Sequence, residues 1–230
     1  MASQELPHTV TSFDDDLHRL RSLVVQMGAL AHAQVSAAIE ALANMDDSAA
    51  TAVAASDALI DRLQIEAELT AASIFSRHAP QASDLHAVMA ALRIVSALER
   101  VGDYAKNIAR RVALIVALGE AVPPDELEPL GEMSRTLLRD AMAAFLDRDM
   151  DLAADVIHGD EAVDSEYYRT FRALVRKTEV EPEHAEATAH LQFIAKNFER
   201  IADQATNISE QLQFARSGSF PMDRNPAKEI

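Results

Sequence analysis

Four pairs of carboxylates stand one helical turn apart along the chain: Asp57 and Asp61, Glu99 and Asp103, Asp160 and Asp164, Glu199 and Asp203. Like charges at i, i+4 on a helix repel by about 0.2–0.5 kcal/mol, so stability alone does not favour the arrangement. A hard cation reverses the sign. Carboxylate oxygens suit Mg, Ca, Mn and Fe-type ions, and two pairs on adjacent helices offer four carboxylates to one site. The expected ligand sets are therefore Asp57, Asp61, Glu99 and Asp103, and Asp160, Asp164, Glu199 and Asp203. A single pair of this kind is usually just a solvated helix face; the recurrence in fixed order is what points to metal. Arg62, Arg100 and Arg200 lie beside the stripes and offer partial neutralisation without an ion.

The recurrence is an internal repeat. Leu98-Glu99-Arg100-Val101-Gly102-Asp103-Tyr104-Ala105-Lys106-Asn107-Ile108 returns 100 residues later as Phe198-Glu199-Arg200-Ile201-Ala202-Asp203-Gln204-Ala205-Thr206-Asn207-Ile208. Upstream, Asp57-Ala58-Leu59-Ile60-Asp61 is echoed 103 residues later by Asp160-Glu161-Ala162-Val163-Asp164. The change of offset places a three-residue deletion in the second copy, in the turn before its last helix. By 3.6-residue periodicity Leu98, Val101, Ala105, Ile108 and Val112 share one face, and Glu99, Asp103 and Asn107 fall opposite. The later copy repeats this with Ile194, Phe198, Ile201, Ala205, Ile208 and Leu212 against Glu199, Asp203 and Asn207.

The elements that must position these stripes read as helices almost throughout, with apolar residues recurring at three and four. Breaks fall at Asn44-Met45-Asp46-Asp47, Arg77-His78-Ala79-Pro80, Gly119 to Pro123-Pro124-Asp125, Asp147-Arg148-Asp149 and Glu179-Val180-Glu181-Pro182. Ser83 or Asp84 is a candidate cap, and so is Asp125. Six helices follow, over 12–43, 46–77, 83–118, 125–146, 149–178 and 182–216. The fold class is all-α: two tandem, pseudo-repeated three-helix bundles with long antiparallel helices. The first bundle is expected over 8–119 and the second over 124–218, with a flexible tail at 219–230.

Composition narrows the function. Only six glycines and eight prolines occur in 230 residues, too few for turn-rich β folds. The formal charge of −16 is wrong for a nucleic-acid binder and unfavourable for an anionic membrane surface, but suits cations or basic partner surfaces. No cysteine is present, which excludes disulfides and thiolate chemistry. Val112–Leu118 is the longest apolar run, too short to span a bilayer, and Asp14-Asp15-Asp16 is unlike a signal peptide. A cytoplasmic protein without membrane insertion is expected.

Other motifs carry less. The Glu-x-x-His spacing at Glu181-Pro182-Glu183-His184 resembles a di-iron ligand pair but has no counterpart in the first copy. The eight histidines form no spaced set and read as surface or boundary residues. Met27, Met89, Met133 and Met142 read as core filler, and Tyr167, Tyr168 and Phe171 as anchors of the fifth helix. No GxGxxG, Walker loop, GxSxG or nucleophile with its base is present, so no catalytic residue is expected.

These residues carry a resemblance. The chain resembles the PhoU family in Phe13-x-x-x-Leu17, Met27-Gly28, the Arg77-x-x-Pro80-x-x-x-Asp84-Leu85 turn, and Glu99-Arg100-x-x-Asp103-x-x-x-Asn107-Ile108. The match continues in Phe193-Ile194-Ala195-Lys196-Asn197-Phe198-Glu199-Arg200-x-x-Asp203-x-x-x-Asn207-Ile208. His86 and Ala202 depart from it, replacing a common arginine and a common glycine. The resemblance covers roughly residues 8–218. It implies two three-helix bundles packed side by side, with multinuclear metal sites on the eight carboxylates. The ion's identity stays open among Fe, Zn, Mn, Mg, Ni and Ca. It also implies a homodimeric, non-enzymatic adaptor that modulates phosphate-specific transport and negatively regulates the phosphate regulon. The partners implied are the phosphate transporter's ATPase subunit and a sensor histidine kinase. Two alternatives stand beside it. One is a carboxylate-bridged metal enzyme, which would need a closed pocket beside the ions. The other is a metal-free helical scaffold, whose partner binding would survive EDTA.

Overall fold

Left-handed backbone marks where the helices stop. Met45 (φ 47°) separates α1 (Leu6–Asn44) from α2 (Asp47–Ser56), and Ala79 (φ 45°) ends α3 (Ala58–His78) ahead of α4 (Ser83–Ala117). Arg148 (φ 55°) lies between α5 (Glu128–Asp147) and α6 (Met150–Val180). Gly218 (φ 71°) closes α7 (Ala185–Ser217), its N–H donating to the Phe214 carbonyl at 2.8 Å. A C-terminal residue in this conformation turns the chain while satisfying a free helix carbonyl. Aspartates then restart the helices. Asp46 Oδ1 accepts from the Ala49 N–H at 3.0 Å, and Asp149 Oδ1 accepts from Asp151 and Leu152 at 3.0 Å each. Asp149→Ala should therefore cost about 1 kcal/mol, read as a melting temperature lower by about 3 °C.

The computed structural model describes residues 6–56, 58–81, 83–119 and 125–219, and every regular element among them is helical. Several boundaries differ from the sequence expectation. The first helix starts at Leu6 rather than 12. The helix expected over 46–77 is seen as α2 and α3 on either side of residue 57, which lies outside the described residues. The helix expected from 125 begins at Glu128 after a turn, because Pro129 occupies its first turn, where a missing N–H costs nothing. Asp125 is thus no cap. A short 3₁₀ turn, Pro182–His184, precedes α7, so the last helix starts at Ala185 rather than 182. Residues 120–124 of the expected junction and 220–230 of the expected tail lie outside the described residues.

Helices α1 to α4 form the first bundle and α5 to α7 the second. Within the first, Asp16 meets Arg77 (2.6 Å) and His78 (3.1 Å), and Arg19 meets Glu66 (2.9 Å), so α1 and α3 run antiparallel. Within the second, Thr170 donates to the Glu126 carbonyl at 3.1 Å from the far end of α6. The broadest pairing, though, joins the bundles: α4 lies antiparallel on α7. Arg93 donates to Gln211 at 3.3 Å, and the Arg111 guanidinium sits 4.3 Å above the Phe193 ring. Adding 100 to 93 and subtracting it from 211 turns the first pair into the second. The two contacts are thus equivalent under a pseudo-twofold that exchanges the bundles.

The same symmetry governs α1 against α5, now at the 103-residue offset. A Cβ placed on Gly28 would run into the Met142 side chain, and one on Gly131 would lie 3.3 Å from Ile39 Cγ1. Gly28 and Gly131 correspond, as do Ile39 and Met142. Each glycine clears the way for a long side chain from the opposite bundle. One continuous apolar core results, holding Val24, Met27, Ile60, Leu98 and Val101 of the first unit with Leu138, Val163, Phe198 and Ile201 of the second.

Helix α1 over Ser12–Asn44 is long and apolar enough, by length and composition, to cross a bilayer. That corrects the choice of Val112–Leu118 as the longest candidate. Its apolar stripe, including Leu20, Val24, Met27, Ala31 and Val35, is buried in this core. Of the expected aromatic anchors only Tyr167 packs against the core; Tyr168 and Phe171 are exposed, since they fall on the outer side of α6.

Candidate functional site

Helices α4 and α7 bury equivalent residues. Ile94, Leu98, Val101, Ala105 and Ile108 are at most 1% exposed, and so are Ile194, Phe198, Ile201, Ala205 and Ile208. This fixes the rotation of both helices and turns the carboxylate stripes away from the α4–α7 seam. The stripes do not end up in equal surroundings.

On the second unit α6 packs along α7 and brings Asp160 and Asp164 towards Glu199 and Asp203. Glu199 is far from the open surface expected for it: its side chain is 12% exposed. Its Oε1 accepts from Lys196 Nζ at 2.7 Å, while its Oε2 is buried and takes no hydrogen bond from the described residues. Asp203 is half-buried, and its pKa is pushed up to about 7. Burial is the first cause, and the charges of Glu199, Asp160 and Asp164 add to it while Lys196 opposes. Negative oxygens crowd together here with too little positive charge among them.

On the first unit Asp57 lies outside the described residues, and Asp61 is exposed on α3. Glu99 and Asp103 stand one turn apart on α4, with Asp103 half-exposed and 3.4 Å from Lys106 Nζ. Among the described residues no three His, Asp or Glu side chains close to the separations that hold a metal ion. The second set is therefore a loose gathering of hard oxygen donors. Its composition and its unsatisfied Glu199 oxygen fit a hard cation.

Arg62 and Arg200 make their contacts away from the carboxylates. Arg62 Nε donates to the Ala58 carbonyl at 3.1 Å, and the Arg200 guanidinium lies 5.8 Å from the Tyr104 ring centroid, across the α4–α7 seam. The cation that enters the second set is Lys196, which sequence reasoning passed over. Its ammonium also lies 5.1 Å from the Tyr167 ring centroid. Desolvation works against that charge, but Glu199, Tyr167 and Asp203 outweigh it and hold the pKa above the usual lysine value. The i, i+3 spacing of Lys196 and Glu199 was the signal available. The histidines behave as boundary residues. His78 pairs with Asp16, and His190 Nδ1 lies 2.8 Å from Arg111, with burial and that arginine lowering its pKa.

Fold and site together define an all-α protein of two pseudo-repeated three-helix bundles. Each bundle carries one Glu-Arg-x-x-Asp-x-x-x-Asn-Ile signature on a central helix. The family model for the PhoU domain matches residues 24–112 and again 127–212, and the chain belongs to the PhoU family. It is 39% identical over 228 residues to a phosphate-specific transport system accessory protein PhoU homolog of Zymomonas mobilis, covering 99% of this chain and 96% of that one. The likeness to the homolog from Caulobacter vibrioides is 37% over 227 residues, covering 97% of each. The crystal structure of PhoU from Pseudomonas aeruginosa superposes with a TM-score of 0.86 at 31% identity, covering 90% of this chain and 100% of that one. The phosphate transport system regulatory protein PhoU from Streptococcus pneumoniae gives a TM-score of 0.84 at 29% identity, covering 91% of this chain and 99% of that one.

Proposed function

We propose that this protein is an accessory, non-enzymatic regulator of a phosphate-specific transport system that holds the phosphate regulon off when phosphate is plentiful. The observation that carries the reading is the likeness to the Zymomonas accessory protein along nearly the whole of both chains, with both signatures intact. In this reading the protein works in the cytoplasm as a homodimer. It links the transporter's ATPase subunit to a sensor histidine kinase. Deleting the gene should raise expression of phosphate-starvation genes in phosphate-rich medium, and a plasmid copy should restore repression. Expression that stays low in the deletion strain counts against the reading.

The same reading makes the eight carboxylates metal ligands. Asp160, Asp164, Glu199 and Asp203 would hold the ion of the second unit, and Asp57, Asp61, Glu99 and Asp103 that of the first. The ion would supply positive charge to crowded oxygens and fix α6 against α7. Support comes from the unsatisfied Glu199 Oε2 and the raised pKa of Asp203, both relieved by a cation. Protein purified without chelator should contain metal, and a variant with all eight residues changed to Asn or Gln should contain none. Equal metal content in the two removes the metal part while leaving the regulatory part standing.

A further inference from the structure

The two carboxylate sets carry their lysines at different places: Lys106 lies 3.4 Å from Asp103 in the first, where the second has Thr206. Lys196 stands one turn before Glu199, and 100 residues earlier the position belongs to Ser96, one turn before Glu99. The ammonium of Lys196 lies 2.7 Å from Glu199 Oε1 and 5.1 Å from the centre of the Tyr167 ring. The residue corresponding to Tyr167, at the 103-residue offset, is Gln64, whose side chain donates to Glu68 on its own helix. The second unit therefore has both a cation and an aromatic face to hold it, and the first has neither at these positions.

We propose that Lys196 is a tethered counter-ion of the second set, displaced from Glu199 when a divalent cation enters, so that it sets how tightly that set binds a cation. The inference rests on the metal reading above.

Geometry and charge support the exchange. Glu199 is the bonding partner of Lys196 and also owns the unsatisfied oxygen, so a cation reaching Oε2 meets a carboxylate that already shares its charge. The lysine stem is long, and its side chain is 40% exposed, so the ammonium has a route to solvent. Once it leaves, the Tyr167 ring still offers it a face. A cation entering the second set must displace the Lys196 ammonium from Glu199.

The test uses Mn²⁺ on the full chain. Free Mn²⁺ is followed by electron paramagnetic resonance, with Asp57, Asp61, Glu99 and Asp103 changed to Asn, Asn, Gln and Asn so that only the second set counts. Lys196→Met should bind Mn²⁺ about tenfold more tightly than Lys196, and Lys196→Arg should stay close to the parent. In the converse protein, with Asp160, Asp164, Glu199 and Asp203 neutralised, Ser96→Lys should weaken Mn²⁺ binding by a similar factor. The converse keeps the idea testable if Lys196→Met folds poorly. Affinity unchanged or weakened by Lys196→Met, or unchanged by Ser96→Lys, overturns this proposal alone. No Mn²⁺ uptake by any of these proteins or by the parent chain overturns the metal reading and this proposal with it.

Discussion

Replacing Phe198 by alanine should lower the melting temperature by about 10 °C, from a loss of about 3–5 kcal/mol. Phe198 is fully buried and is the largest such side chain in the protein's described residues. It stands where α7 meets α1 and α5, close enough to Gly131 that an added Cβ there would lie 3.2 Å from its ring. It also lines a cavity of about 210 Å³ with Ile39, Leu42 and Leu127. Truncation enlarges that space, and helices fixed on both sides by other contacts cannot close it. The corresponding Leu98→Ala removes fewer atoms and should cost less. Circular dichroism melts of both variants check this. A shift below about 3 °C for Phe198→Ala would mean that the bundles yield more easily than their shared core implies.

In chelated protein, Asp203→Asn should stabilise the fold above pH 7 and have no effect below pH 4. The sign follows from the direction of the shift. The folded pKa is about 7, against an ordinary 3.8. Between these values the unfolded chain releases the proton while the folded one keeps it. Stability therefore falls as pH rises through that window. The whole shift corresponds to about 4 kcal/mol, and solvent around a half-buried group reduces this to about 1–2 kcal/mol. Asparagine carries no charge and escapes the loss. Urea melts of both proteins between pH 4 and 8 give the difference curve; a flat curve would show that the carboxylates relax apart on ionisation.

The helices and the repeat were legible because they are written locally. Period and punctuation locate α4, α6 and α7, and the two offsets read from the sequence reappear as the contact symmetry of α4 with α7 and of α1 with α5. The stripes were legible too, as the faces opposite Leu98 and Phe198. What the sequence could not show is how deeply each stripe is covered. Glu199 and Asp103 are both acids of a signature, yet one is nearly enclosed and the other half-exposed, because enclosure depends on the neighbouring helix. The same holds for α6: three aromatics close in sequence look alike until the helix is rotated, when Tyr167 turns inward and Tyr168 and Phe171 outward. Gly28 stood out as part of a family motif, but its service to Met142 needs the α1–α5 crossing to be seen.

Because the interior closes across both repeats, neither repeat is a separable part. A gene fragment encoding only one of them would produce a chain with half a seam and an uncovered row of aliphatics along its central helix. Such a fragment would have to find a second copy of itself, or its missing twin, to hide that row. The duplicated chain carries its own partner at fixed stoichiometry, and each half is free to drift in sequence, as Ser96 and Lys196 have, without losing the company it needs.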